Sequence, residues 1–529
     1  MTPEISKTED QTPKITGRFV WILFGFLIVF VYFFALNIPL LGPDEPRYAQ
    51  VAREMLDRGD WITPTLGGFN WFEKPPLLYW LQIVSFKTFG VSEFAARLGP
   101  ALFGLGTIAS LWLLGKFVSE RPPVENGLID ASGNKPSFAH STALIAASTL
   151  GILVFSRGAS FDIIITFPIT AALVSFFIFY HRTDIGIKPP VTGSDLIPLF
   201  LFYFFIGIAL LAKGLIGTLF PFAIVGVFYL LSRRWPSRTF VFSLLWGSVV
   251  AIAIASAWYL PMYQRHGYQF IDEFFVQHHF QRFTSNKYQH PQPFYFYLWV
   301  LPLMTLPWLP FFFASLWNVV KRSLLPLAKE TSETKSPHLL SSSPLLFISL
   351  AWVLVPLIFF SLSGSKLPGY ILPAVPGAVI ITSIYVFDLV RNNRKWRKAI
   401  LIIAASTFGA TILLLIFAVP RFAESDSVKA LIQAANNSGY GSDRVLMLHT
   451  ISHNAEFYAS NRLLRDADGK QRRLSGVNEV TNEIAAENGK SVLVLVPLEY
   501  LSQLTKNEKI ETVVIKDNGE LAIAAVSAK

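Results

Sequence analysis

The stretch "ALNIPLLGPDEPRYAQVAREM" (Ala35–Met55) decides how this chain is read. An apolar run ends at Leu41, and Asp44, Glu45 and Arg47 follow with almost no spacer. If that run is a membrane helix, the charges sit at the membrane edge. Ionisable side chains there are costly unless paired, wetted or facing a cavity. They are either a stop signal or working groups, and the rest of the chain has to decide between the two.

The bulk composition supports the membrane. Of 529 residues, 52% are hydrophobic, 15% aromatic and 15% charged, with a mean hydropathy of +0.45. Average soluble domains carry roughly 25% charged residues. The net charge of +10 is no sign of a nucleic-acid partner, because much of the Lys and Arg sits in short clusters between apolar runs, as topology determinants do. With no cysteine there is neither a disulfide nor a thiolate metal site. Residues 1–17 read as a cytoplasmic tail. The run behind them lacks a small-residue cleavage site and reads as an uncleaved first helix.

Apolar runs long enough to span a bilayer fall near 18–41, 94–118, 138–156, 161–180, 196–212, 214–232, 239–260, 294–320, 344–363, 370–389 and 399–419. The expectation is a polytopic all-α membrane protein with about 11–13 transmembrane helices, a long run split by a re-entrant turn adding one or two. Basic clusters, among them "SRRWPSR" (232–238) and "RNNRKWRK" (391–398), fall on one side if the spans alternate. By the positive-inside rule that side is cytoplasmic. The opposite, extracytoplasmic face then collects the outer loops 42–93 and 261–293 and residues 420–529. In that last region "RVLMLHT", "KSVLVLVP" and "IETVVIKDNGELAIAAV" read as strands around helical pieces such as 479–488, with "DNG" as a hairpin turn. A small C-terminal α/β domain is expected there. No internal repeat marks an inverted-repeat transporter.

The outer face gathers Asp44, Glu45, Arg47, Tyr48, Glu73, Lys74, Arg157, Asp162, Lys213, His266, His278, His279, Arg282, Lys366 and Tyr370. Several spans therefore converge on one polar site. Pro46 suits a first helical position, with Asp44 or Glu45 at the N-cap. Tyr48, Ala52, Met55 and Leu56 then form the stripe of an interfacial helix over 46–57, with a second interfacial helix over 76–90. The plain alternative is a capping acid with Arg47 and Arg53 on lipid headgroups. In "WFEKPP", the prolines fix the backbone immediately after Lys74, which suits phosphate binding better than a solvated lysine.

The stretch from Gly42 to Leu81, with "FEKPP" inside it, resembles the first outer loop of the bacterial aminoarabinose transferases of lipid A. More broadly it resembles the protein O-mannosyltransferase-like glycosyltransferases of the GT-C fold. "ASFDIIITF" (159–167), "LAKGLIG" (211–217), "FFVQHHFQRF" (274–283) and "SKLPGYILP" (365–373) agree with that family in order and spacing. The resemblance implies a membrane-embedded GT-C domain over 18–419. Position by position it implies Asp44 as the acidic residue acting at the acceptor and Asp162 as a second acidic residue of the catalytic pair. Arg47, Lys74, Arg282, Lys366 and Tyr370 hold the donor lipid phosphate; Tyr48, Glu73 and Lys213 position sugar or acceptor. Glu73 with His279 could share a divalent ion, the one cofactor considered. The chain departs from the aminoarabinose transferases at Trp71, at His278 and at Gly369, where they tend to have Thr.

The implied reaction is inverting transfer of a sugar from a polyprenyl phosphate to lipid A or a related glycolipid. Hexosyl or mannosyl transfer to a glycan or protein is the near alternative. An acceptor oxygen attacks the anomeric carbon, a carboxylate such as Asp44 acts as general base, and cations meet the charge growing on the leaving phosphate. Structural roles compete: Asp162 as a helix cap, Lys213 as a snorkelling lysine, His266 as an interfacial histidine, Tyr370 as a belt aromatic and Arg157 as a membrane-edge arginine. Two other classes compete as well. A flippase of lipid-linked sugars would want charges near mid-span, and a scaffold acting through the tail would leave the outer polar cluster unexplained.

Overall fold

The computed structural model describes residues 15–120, 137–183, 193–281, 291–324 and 344–529. All eleven apolar runs are helical among them. The chain begins with α1 (Ile15–Phe33), α2 (Asp44–Arg58), a hairpin of β1 (Thr65–Leu66) and β2 (Phe69–Asn70), α3 (Leu77–Phe89) and α4 (Glu93–Glu120). It continues through α5 (Phe138–Ser148), α6 (Leu150–Phe155), α7 (Phe161–Thr183), α8 (Gly193–Lys213), α9 (Ile216–Ser232) and α10 (Arg238–Phe270), which runs on as a π-helical segment, Ile271–Gln281. Seven helices of the described residues are long and apolar enough to cross a membrane. The 294–320 run is no straight helix: Phe296–Met304 and Leu309–Leu324 are bent by 117°. The 138–156 run breaks at Thr149, where the Leu150 N–H finds the Leu306 carbonyl at 2.7 Å. Such a bond is needed because an unpaired backbone group in hydrocarbon costs several kcal/mol.

At the bundle's centre, α7 is buried along almost its whole length and packs on α4 and α8. Its start is tied to the first outer loop by one buried ion pair. The Arg97 guanidinium commits all five of its donors. Two go to Glu45, Nε to Oε1 at 2.9 Å and Nη2 to Oε2 at 2.5 Å. The other three go to the carbonyls of Leu36, Ile38 and Pro39. Glu45 accepts two more N–H groups, Leu41 at 2.8 Å and Ala159 at 2.6 Å. Burial disfavours the Glu45 carboxylate, but Arg97 and these donors outweigh it and hold the pKa below its ordinary value. Arg157 meanwhile takes the carbonyls of Val31 and Phe34 at the end of α1, four of whose terminal carbonyls lack helical partners.

Helix α2 departs from the sequence expectation in two ways. It starts at Asp44 rather than near Pro46, with no side-chain cap, because Glu45 reaches back to Leu41 instead of capping its own helix. Nor does it lie openly on the membrane surface. Tyr48, Ala49, Gln50, Val51, Ala52, Glu54 and Met55 are all buried, and Arg53, expected at headgroups, lies over the Phe457 ring at 4.5 Å and donates to the Phe457 carbonyl.

That contact comes from the C-terminal sheet. Its five strands run in the order β4 (Arg473–Leu474), β3 (Val445–Leu448), β5 (Val492–Pro497), β7 (Leu521–Ala528), β6 (Ile510–Asp517). Strand β3 is parallel to β4 and β5, whereas β7 is antiparallel to β5 and β6. Alternate residues feed two cores. Leu446, Leu448, Val492 and Val494 pack with Val480 and Ile484, while Val445, Met447, Leu493 and Leu495 pack with Leu431 and Ile432. Gly519, at φ +89°, turns the β6–β7 hairpin where "DNG" marks it.

The Arg97→Ala variant strands a buried carboxylate, and breaking a buried pair costs about 3–5 kcal/mol. The expected result is a large drop in unfolding temperature in detergent. For wild type the pair's contribution is complete above the ordinary glutamate pKa of about 4.3 and is lost as pH falls through the lowered folded value, so an acid titration of unfolding should show that loss in wild type and not in the variant.

Candidate active site

Helix α2 presents Asp44, Arg47 and Tyr48 at its first turn. The Arg47 Nη1 lies 3.6 Å from the Asp44 carboxylate, and its guanidinium sits over the Trp71 ring at 5.5 Å. The loop into α3 brings Glu73 and Lys74, paired at 2.7 Å and both largely buried. Helix α7 opens with Asp162, and here Ser160 is the cap: its Oγ accepts the Asp162 N–H at 3.1 Å. The Asp162 carboxylate is thereby left for Lys213, the last residue of α8, whose ammonium lies 2.5 Å away. Lys213 also stands over the Tyr370 ring at 4.8 Å. Tyr370 belongs to a 3-10 segment, Pro368–Ala374, and its ring rests on Phe360.

These groups frame a cavity of about 250 Å³. Its lining mixes the polar side chains of Glu73, Lys74, Lys213, His278 and Tyr370 with the apolar ones of Leu215, Leu219, Phe359 and Phe360. Asp44 lies beside this cavity rather than in its lining. Its side chain is 52% exposed yet ringed by protein. Withdrawal from water, and next the Glu73 carboxylate, push the Asp44 pKa above its ordinary value, against the pull of Arg47 and Lys74. A carboxyl tuned upward is a better proton acceptor than an ordinary aspartate.

Other expected site residues are placed less directly. Lys366 is buried and donates to the carbonyls of Ser363 at 2.6 Å and Gln292 at 3.1 Å, so its ammonium stabilises the turn before Tyr370. Tyr48 is buried, its ring edge-on to Phe161 at 4.9 Å. His266 meets Thr63 at 2.9 Å and the Phe72 ring, an interfacial role. Arg282 and the His279 side chain lie outside the described residues. Among the described residues no group of three His, Cys, Asp or Glu side chains could hold a metal ion, and Glu73 already meets an ammonium. Sequence reasoning missed Tyr79, whose buried hydroxyl lies beside the Trp71 indole N–H. Gly369, a departure from the family pattern, gains a physical reason. A Cβ there would stand 1.9 Å from Asp162 Oδ2, so the space a side chain would fill belongs to the carboxylate.

Residues 19–270 match the model of the family described as dolichyl-phosphate-mannose-protein mannosyltransferase. The undecaprenyl phosphate-alpha-4-amino-4-deoxy-L-arabinose arabinosyl transferase of Serratia proteamaculans is 33% identical over 380 residues, 71% of this chain and 60% of that one. The protein of the same name from Aeromonas hydrophila is 30% identical over 407 residues, 76% of this chain and 66% of its own. The chain thus spans somewhat less than two thirds of either relative. Among solved structures, ArnT from Cupriavidus metallidurans bound to undecaprenyl phosphate superposes with a TM-score of 0.74 at 20% identity, covering 96% of this chain and 98% of that one. The archaeal oligosaccharyltransferase AglB from Archaeoglobus fulgidus gives 0.52 at 14% identity, covering 92% and 70%. This multi-pass membrane protein therefore has the GT-C fold, and its residues 19–270 are similar to the protein mannosyltransferase family.

Proposed function

We propose that the protein is an inverting glycosyltransferase that takes a sugar from a polyprenyl phosphate and delivers it to an extracytoplasmic acceptor at the plasma membrane. The reading that the relatives favour is aminoarabinose transfer from undecaprenyl phosphate to lipid A or a related glycolipid. The observation that carries the proposal is the mixed lining of the cavity, in which Lys74 and Lys213 occur together with Leu215, Leu219 and Phe359. An anionic headgroup on a hydrocarbon tail fits such a wall.

In this reading the acceptor oxygen attacks the anomeric carbon as its proton passes to Asp44. The bond from that carbon to the phosphate oxygen breaks, and the electron pair leaves with the lipid phosphate. The Lys74 and Lys213 ammonium groups, held by Glu73 and Asp162, bring positive charge to where the phosphate oxygens would lie. Arg47 adds a guanidinium on the Asp44 side, suited to bidentate contact. Direct attack inverts the anomeric carbon. The mannosyltransferase family match supports a second reading, transfer of a hexose to protein, and the choice of donor in the assay separates the two.

The test is release of free polyprenyl phosphate by the purified protein in lipid, with and without acceptor. Acceptor-dependent release should fall by ~10²–10⁴-fold in Asp44→Asn while the donor still binds. Donor binding with no release by wild type under any acceptor would instead favour a flippase. The pH profile should follow the tuning of Asp44. A base must be deprotonated, so the acid limb of kcat/KM should lie above the ordinary aspartate value of about 3.9. Glu73→Gln removes a like charge and should move that limb down; Arg47→Ala removes a cation and should move it up.

Gly369→Ala tests the Asp162–Lys213 pair without altering either charge. The new methyl displaces the carboxylate from Lys213, an overpacking that costs about 1–3 kcal/mol. A folded protein whose kcat drops at least about tenfold, as for a lost oriented donor, is the expected outcome. Unchanged kcat would mean that the pair is dispensable.

A further inference from the structure

The C-terminal domain docks on α2, on the loop before it and on the β1–β2 hairpin, and these contacts converge on the rim of the Asp44 centre. The Tyr458 hydroxyl accepts from the Leu40 N–H at 2.9 Å and donates to Glu93 at 3.0 Å, and Lys429 meets Glu93 at 2.6 Å. Gln50 of α2 donates to Asn461 at 3.3 Å. One carboxylate joins the two sides where they matter. Asp426 Oδ2 accepts the Gly42 N–H at 3.4 Å, two residues before Asp44, and takes the Asn454 Nδ2 at 3.4 Å, which also donates to the Asp426 carbonyl at 3.1 Å. Asn454 is buried, so the turn that carries its neighbour His453 is clamped to the loop leading into Asp44.

His453 itself is exposed, and its ring makes no hydrogen bond to the described residues, unlike His449 of the same domain, which meets Gln503 at 2.9 Å. The charged groups whose fields reach it are Arg47 of α2, Glu456 of its own turn and Asp44 of α2. Withdrawal from water, and next Arg47, hold its pKa below the ordinary histidine value, so the imidazole is neutral at pH 7. A neutral imidazole offers one donor and one acceptor, and it adds no charge beside the base.

We propose that His453 is a positioning residue on the acceptor side of the transfer reaction, supplied by the C-terminal domain to the mouth of the Asp44 centre. This rests on the transferase reading above. The ring hydrogen-bonds the polar group of the acceptor and holds the attacking oxygen near Asp44, while the donor stays on the far side against Lys74 and Lys213. The C-terminal domain is on this view part of the site and not a separate module.

The experiment compares the full chain with His453→Ala and His453→Gln, using a polyprenyl-phosphate sugar and lipid A vesicles, with kcat and the two KM values measured separately. His453→Ala should raise the acceptor KM about tenfold, the size of one lost hydrogen bond, and leave the donor KM and the unfolding temperature unchanged. His453→Gln, which keeps a donor and an acceptor, should recover part of that loss. The wild-type acceptor KM should also change as pH falls through the lowered imidazole pKa, below about 6.5, and that dependence should flatten in His453→Gln. His449→Asn serves as a control that leaves turnover unchanged. An unaltered acceptor KM in His453→Ala, with wild type turning over and Asp44→Asn inactive, overturns the inference alone. Absence of acceptor-dependent release in wild type overturns the transferase reading and this inference with it.

Discussion

The Arg97–Glu45 pair is the constraint on which the site-bearing end of the bundle depends. Two charges withdrawn from water at a membrane edge each lose several kcal/mol of solvation, and the loss is offset only by good geometry and a full set of hydrogen bonds. Both conditions hold, since the guanidinium uses every donor and the carboxylate takes four. The partners come from α4, from the turn after α1, from α2 and from the loop before α7. One ion pair thus sets where α2 begins and where α7 begins, and those two helix starts carry Asp44 and Asp162.

The charges that open α2 can now be sorted. Glu45 is committed to structure. So is Glu54, which accepts the N–H groups of Gly67 and Gly68 and the Thr65 hydroxyl and so holds the hairpin. Asp44 differs from both: it is half-exposed, has Arg47 at 3.6 Å and feels Glu73, Lys74 and Asp162. Acids on one helix therefore have opposite fates, and what separates them is whether backbone N–H groups are already in reach, as for Glu45 and Glu54.

How much of this was legible in the sequence depended on range. The helices followed from apolar runs and the sheet from alternation, because burial imposes both patterns locally. The site followed from a resemblance carried by whole motifs such as "FEKPP". Three features were not legible. Arg97 sits inside an apolar run and looks like the ordinary start of a span; only the fold shows Glu45 52 positions away. The bend in 294–320 lies in a run whose two arms are both apolar, and Pro302, Pro307 and Pro310 mark a break without giving its angle. The docking of Phe457 and Tyr458 joins residues some 400 positions apart, and no local pattern encodes it. The partners of Lys366 were hidden in the same way: a lysine in a motif shows where the backbone goes, but the carbonyls of Ser363 and Gln292 decide where the ammonium points.

The pairing of each site lysine with an acid has its own logic. A lone ammonium withdrawn from water beside apolar side chains is costly. Glu73 and Asp162 offset that cost, with Lys213 further held by the Tyr370 ring face. On the transferase reading proposed above, the cations are thereby fixed in place before charge develops on a leaving group, so no reorganisation is needed at the moment of reaction. Gly369 belongs to the same arrangement, since Asp162 can lie against the 3-10 turn and reach Lys213 only where that turn has no side chain.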